Sequence, residues 1–371
     1  MQKVSKETRI SPKRMVAEYD VLRVTLMLLV VVGHCHYIRL TTDYGGIDYS
    51  NTFAAPSLVL RLVQLLSGAI YDFHMQCFMA LSGALFFKSL HRANKGANGG
   101  LKELAMKKCR QLLVPFFGVS VLYSFPLKLI SGYYAKSGNV LKDFVIGQIF
   151  LQGNTHLWFL EALFCAFIIV YLIEEKWQGY ERIKLAFLFC VHLFSTVMPI
   201  SAIVYPMQYT FWFYLGYCFE PHRERVNQAS GIGSLSVSVA LFVIIHIFMT
   251  AINLDALNII VLAPMAAVLG SYATYTIAFL LSKTTIPDWK LFRCCLKNAF
   301  GIYLYSDPWN YVLLASCFSL WGSAIFTDNA LSMALYILRF TFTLGVSILI
   351  NMLVQRIKQK LRLQPRKKEL D

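Results

Sequence analysis

An arginine at position 23 and a histidine at position 34 bracket an otherwise apolar run, "YDVLRVTLMLLVVVGH". Ionisable side chains are costly inside a bilayer, so they normally face a bundle interior and mark a pathway or a reacting site. At ~100° and ~1.5 Å per residue, eleven steps return nearly to the same helix face, about 16 Å further along the axis. One stripe of one helix therefore carries a fixed cation at one end and an imidazole at the other. An imidazole exchanges its proton near neutrality, which suits a general base. His74 in the next apolar run falls at the depth of His34, as do His156, Trp158 and Glu161 in "THLWFLEAL", and Tyr209 and Trp212. The set offers a base, a second imidazole to orient it or to donate to a developing oxyanion, and rings on which a ligand can stack.

Plainer roles exist for the same residues. His34 and His74 also read as packed helix histidines bonded to backbone, and His36 as a wet residue at the helix mouth. Arg23 can snorkel to lipid phosphates. Trp158 and Trp212 fit an aromatic belt, Glu161 and Arg339 a mutual ion pair within the spans. His192 and His246 have no comparable neighbours and read as structural.

The elements that must position these side chains are membrane helices. Of 371 residues, 57% are hydrophobic and 15% charged, well above the apolar share of an ordinary soluble chain. Ten stretches reach the length a helix needs to cross the hydrocarbon core: 20–38, 69–88, 111–130, 157–174, 184–200, 205–220, 234–252, 258–282, 299–320 and 331–354. Residues 56–67 read as an interfacial piece leading into the second, and the first apolar run as a span rather than a cleaved leader. Of the 35 Lys and Arg, 28 fall on one side of this arrangement, four (Arg39, Arg61, Lys136, Lys142) on the other, and Arg23, Lys128 and Arg339 within spans. The positive-inside rule then places both termini in the cytosol. The expected fold is an all-α polytopic bundle of about ten helices over 20–354, between cytosolic basic tails at 1–19 and 355–371. The net charge of +15 is a topology signal and a contact with anionic lipid rather than a nucleic-acid footprint. Nine scattered cysteines suggest neither a disulfide framework nor a metal site.

The chain resembles integral-membrane acyltransferase family 3, the surface-polysaccharide O-acyltransferases. The likeness rests on Arg23-x10-His34 in the first span and on "FHMQCFMALSGALFF", Phe73 to Phe87, with its Ser-Gly-small-apolar ending. "RQLLVPFF", "HLWFLEAL" and "FGIYLYSDPWNY" add to it, so it covers nearly the whole chain. One departure occurs: many members carry histidine where this chain has Ser306, followed by Asp307 and Pro308. Asp307 reads equally as a polar partner of Arg339 or as the cap of a proline kink.

The resemblance implies transfer of an acyl group, most often acetyl, from cytosolic acyl-CoA to a sugar hydroxyl at the outer face of a bacterial plasma membrane. Acyl-CoA is then a cosubstrate, with no tightly bound cofactor and no metal. Lys102, Lys107, Lys108 and Arg110, with Arg23 at the entry, suit the donor phosphates. His34 suits the proton work, directly or through an acyl-imidazole, while His74 or a backbone N–H near Ser82 and Gly83 suits the oxyanion. His156, Trp158, Glu161, Tyr209, Trp212 and Trp309 are candidates for the acceptor side. The rival reading is a transporter or flippase of a glycan or lipid intermediate, which inverted repeats with broken helices would favour; none is visible.

Overall fold

The computed structural model describes residues 16–92, 100–251 and 258–363; the tails at 1–15 and 364–371 and the segments 93–99 and 252–257 lie outside them. The described residues are 82% helical. Helix α1 (Ala17–His34) has Glu18 and Asp20 in its first turn and His34 in its last, each where the helix dipole favours it. A two-stranded hairpin follows, β1 (Arg39–Thr42) pairing antiparallel with β2 (Gly45–Asp48). Next comes α2 (Leu58–Tyr71), the expected interfacial piece, whose N-cap Ser57 accepts from the Leu60 N–H at 3.1 Å. It leads through Asp72 and Phe73 into α3 (His74–Arg92).

Helix α4 (Leu101–Ile130) carries π turns at Cys109–Leu113 and Ser120–Ser124, each just before a proline, Pro115 and Pro126, that removes a helical donor. The short α5 (Val140–Phe144) precedes α6 (Trp158–Lys176), α7 (Glu181–Phe194), α8 (Ser201–Phe219) and α9 (Arg223–Ala229). Helices α10 (Ile232–Ala251), α11 (Ile260–Ser282), α12 (Lys290–Tyr305), α13 (Asp307–Trp321) and α14 (Asn329–Leu363) complete the bundle.

Every apolar stretch read from the sequence contains helix, with one correction. The stretch 299–320 is not one rod but α12 and α13, broken at Ser306. The cause is Pro308, which cannot donate to the Leu304 carbonyl four residues back. Among the described residues, α4, α10, α11 and α14 are long and apolar enough by themselves to cross a membrane. Their outer faces need lipid: on α10, Val237, Ile244 and Ile247 are 56–60% exposed.

Helix α1 runs through the middle of the bundle, packed against α3, α11 and α12. Helices α3 and α8 cross in backbone contact. A Cβ on Gly83 would lie 1.8 Å from the Phe213 carbonyl oxygen, and one on Gly216 would lie 1.9 Å from that of Ala80. The Ser-Gly motif of α3 is therefore a packing device. Ser82 spends its hydroxyl on the Phe78 carbonyl at 2.9 Å, and neither Ser82 nor Gly83 lines the cavity described below, so they are not placed to meet an oxyanion.

The bundle end where α1 begins is tied by charge. Glu220 accepts from Tyr19, from Lys88 at 3.0 Å and from Arg223 at 3.4 Å, while Arg223 also pairs with Glu18. Asn227 donates to Glu18 at 3.3 Å and accepts from the Tyr275 hydroxyl at 2.6 Å. Lys184, a loop cation by sequence, is buried and paired with Glu174 at 2.6 Å.

Candidate functional site

At the other end of α1, the helix break brings Asp307 between two imidazoles. Asp307 is 1% exposed; its Oδ1 lies 3.3 Å from His34 Nδ1 and its Oδ2 3.3 Å from His156 Nδ1. The contacts are close rather than in line, so His34 Nδ1, His156 Nδ1 and Asp307 Oδ2 have no aligned hydrogen-bond partner.

The break also fixes His156. With Pro308 lacking an N–H, the Leu304 carbonyl is free to accept from His156 Nε2 at 3.1 Å. The Tyr303 hydroxyl donates to the His156 carbonyl, and the Tyr123 hydroxyl to the Tyr305 carbonyl at 2.8 Å. Each ring nitrogen of His156 thus faces an acceptor.

His34 is held by its backbone as well. Arg339, 1% exposed, donates from Nη1 to the Tyr37 carbonyl at 3.0 Å, from Nη2 to the His34 carbonyl at 3.5 Å and from Nε to Asn310 Oδ1 at 3.2 Å. A guanidinium at the C-terminus of α1 answers the carbonyls that helix leaves unpaired. With Nδ1 turned to Asp307, His34 keeps Nε2 for the space beside it.

That space is a cavity of about 330 Å³ lined by His34, His74, His156, Asp307, Trp158 and Tyr209, among others. Trp158 packs on Tyr205 and on Tyr209, each with ring centroids 4.6 Å apart, so one wall is aromatic. Tyr37 and Tyr71 also line it, their hydroxyls bonded to each other; two hydroxyls in one bond leave one O–H free to donate. His74 gives Nδ1–H to the Ile70 carbonyl at 2.8 Å. A neutral His74 therefore presents a lone pair at Nε2, which is the wrong polarity for holding an oxyanion. Thr42 of the hairpin belongs both to this cavity and to an outer one of about 550 Å³ between the hairpin and residues 131–143.

His34, His74, His156, Trp158 and Tyr209 come together as their common depth suggested. The other candidates lie elsewhere. Trp212 shares the Tyr205 face of α8 but sits seven residues on, about 10 Å along the axis, and lines an apolar cleft of about 470 Å³ with Leu22, Cys77 and Tyr275. Glu161 is not in the cavity wall; its Oε1 accepts from Cys165 at 3.3 Å, and it forms no pair with Arg339. Trp309 packs on Phe342 with centroids 5.3 Å apart, outside the cavity. Arg23 is half-buried and outside both spaces. Lys107 and Arg110 are exposed, and Lys108 lies with its Nζ 3.3 Å from the Phe167 ring centroid. These three are about 30 Å along α4 from Lys128, which backs the cavity. His36 turns its ring to the Gly33 carbonyl. His246, read as isolated, pairs with Asp72 at 2.6 Å.

Lys128 was legible only as a cation within a span. It is 2% exposed and donates to Gln148 Oε1 at 2.9 Å and to the Asn154 carbonyl at 2.6 Å, so it fixes the loop that carries His156. An imidazole with a carboxylate behind it and a polar cavity in front is competent for proton abstraction from a weak nucleophile.

No curated protein and no solved structure matches the chain. A family comparison does: the acyltransferase domain of family 3 matches residues 16–354. The buried imidazole and carboxylate, the apolar helices and this match over most of the sequence agree, and the chain belongs to acyltransferase family 3, as a multi-pass membrane acyltransferase.

Proposed function

We propose that the protein moves an acyl group, acetyl in the simplest case, from cytosolic acyl-CoA to a hydroxyl of a cell-surface or lipid-linked carbohydrate. In this reading ten spans carry both termini to the cytosolic side of the plasma membrane, in keeping with the 28 to four distribution of Lys and Arg. The observation that carries the proposal is His34 Nδ1 against Asp307 Oδ1 at 3.3 Å in the wall of a polar cavity.

Asp307 holds the His34 tautomer with the proton on Nδ1, so Nε2 takes the proton of the sugar hydroxyl as its oxygen attacks the thioester carbonyl. The tetrahedral intermediate collapses with loss of the C–S bond, and the His34 imidazolium returns its proton to the leaving CoA sulfur. Attack by Nε2 itself, giving an acyl-imidazole, uses the same atoms in two steps. The spare hydroxyl hydrogen of the Tyr37–Tyr71 pair is the donor best placed for the oxyanion. Trp158, Tyr205 and Tyr209 offer ring faces to a sugar. The basic residues Lys102, Lys107, Lys108 and Arg110 attract the donor to that end of the bundle, and Arg23, about 16 Å along α1 from His34, is near enough to meet its phosphates when the thioester is at the base.

Purified protein given labelled acetyl-CoA and a glycan acceptor should transfer label, and His34→Gln should abolish transfer while the protein still folds. Full transfer by that variant removes the mechanism, and solute movement without CoA release would point to a transporter.

A further inference from the structure

The cavity is backed by two buried cations, Lys128 and Arg339, against a single carboxylate, Asp307. Lys128 has four partners, all suited to an ammonium: Gln148 Oε1, the Asn154 carbonyl, and the Tyr133 and Tyr311 rings, whose centroids are 4.4 and 5.7 Å from Nζ. Arg339 spends its guanidinium on two backbone carbonyls and a side-chain amide. Among the described residues neither makes a salt bridge. The partners of both nevertheless form the cavity wall: Asn154 for Lys128, and His34 and Tyr37 for Arg339.

The carboxylate beside them offsets only part of this charge. Asp307 is shared by His34 and His156, and His156 already gives Nε2–H to the Leu304 carbonyl. With two cations against this one carboxylate, one positive charge remains in excess.

Burying an uncompensated charge is expensive, and a negative group brought into the cavity recovers part of that cost through a wall of low polarisability. The donor phosphates do not supply it in the proposed pose, because they meet Arg23, about 16 Å along α1 from His34. We infer that the acceptor is itself anionic, a sugar bearing a carboxylate or a phosphate, with its charge turned toward the wall held by Lys128 and Arg339. The inference rests on the carbohydrate reading above and narrows it to acidic sugars. It also gives Lys128 a role in choosing the acceptor beyond bracing the His156 loop.

The test uses the full chain in lipid nanodiscs with acetyl-CoA. D-glucose is compared with D-glucuronate and with glucose 6-phosphate, and inorganic phosphate and acetate serve as sugar-free anions. Acyl transfer and the shift in melting midpoint are both read. The acidic sugars should half-saturate at roughly tenfold lower concentration than glucose, the scale of a charge interaction across a partly screened wall. Glucuronate alone or glucose 6-phosphate alone would identify which anion is taken. Lys128→Met should shrink the discrimination to about twofold by lowering the wall's charge, mainly through the KM of the acidic sugar. If that variant does not fold, the wild-type comparison decides. Equal response to glucose and the acidic sugars overturns the inference and leaves the carbohydrate reading intact. Stabilisation by phosphate or acetate with no response to any sugar overturns the carbohydrate reading and keeps the anion site. No response to any of the five overturns both.

Discussion

His156 Nε2 donates at 3.1 Å to the carbonyl of Leu304, the acceptor that Pro308 leaves without its helical partner. One missing N–H thus does two things. It bends the chain so that Asp307 points between the imidazoles, and it creates the acceptor that fixes one of them.

Pro308→Ala restores a competing N–H four residues from Leu304. The helix should straighten, His156 should lose its acceptor, and acyl transfer should fall roughly tenfold, with little change in the melting midpoint. Transfer rates and midpoints measured side by side check this.

Asp307→Asn keeps the shape and removes the charge that selects the His34 tautomer. Loss of about 10²- to 10⁴-fold in kcat is expected, with KM for the donor nearly unchanged. Single-turnover kinetics separates that outcome from a binding defect. A wild-type rate in the asparagine variant would rule out Asp307 as the orienting group.

Gly83→Ala puts a methyl 1.8 Å from the Phe213 carbonyl oxygen, where only backbone can yield. It should destabilise the protein by about 1–3 kcal/mol. Gly118→Ala on α4, with nothing within 4 Å of its new Cβ, should be neutral or stabilise by up to about 1 kcal/mol. Unfolding in detergent distinguishes the pair.

Glu220→Ala strips the carboxylate shared by Tyr19, Lys88 and Arg223. Its side chain is 7% exposed, and removing one partner of a buried ion cluster costs about 3–5 kcal/mol. The defect should appear in stability before activity, since the cluster lies at the opposite end of α1 from His34. Thermal inactivation of transfer is the readout.

In the hairpin, Asp48 is held below the usual carboxylate range, chiefly by the Ser50 hydroxyl and the Ser50 N–H, at 2.5 and 2.9 Å, and further by Arg39. A depressed carboxyl stabilises above its unfolded pKa, near ~3.9, and loses that contribution as pH falls through the lower folded value. Amide exchange in residues 39–50 should therefore quicken, relative to the intrinsic rate, on acidification below about pH 4. Asp48→Asn should flatten that response.

The helices were legible because each stretch is long and apolar enough to announce itself, and His34 because its charge is costly in that setting. Depth was legible too: His74, His156, Trp158 and Tyr209 share a level and meet. What one chain does not disclose is partner choice between distant segments. Asp307 could be narrowed to Arg339 or a kink cap, and the kink exists, but its two partners lie 273 and 151 positions upstream. Arg339 and Glu161 look complementary on paper, yet Arg339 is consumed by carbonyls at the end of α1. Trp212 shows how steeply depth matters, since about two turns along a correct face move a side chain into a different space.

The glycine contact between α3 and α8 bears on how the interior moves. Those helices contribute His74 on one side and Tyr205 with Tyr209 on the other, and no side chain lies between their backbones at Gly83 and Gly216 to act as a bearing. They travel as a single body. Widening of the chamber for a reactant then falls to its other walls: Thr42 of the hairpin, Tyr71 at the end of α2, and the loop at 153–155.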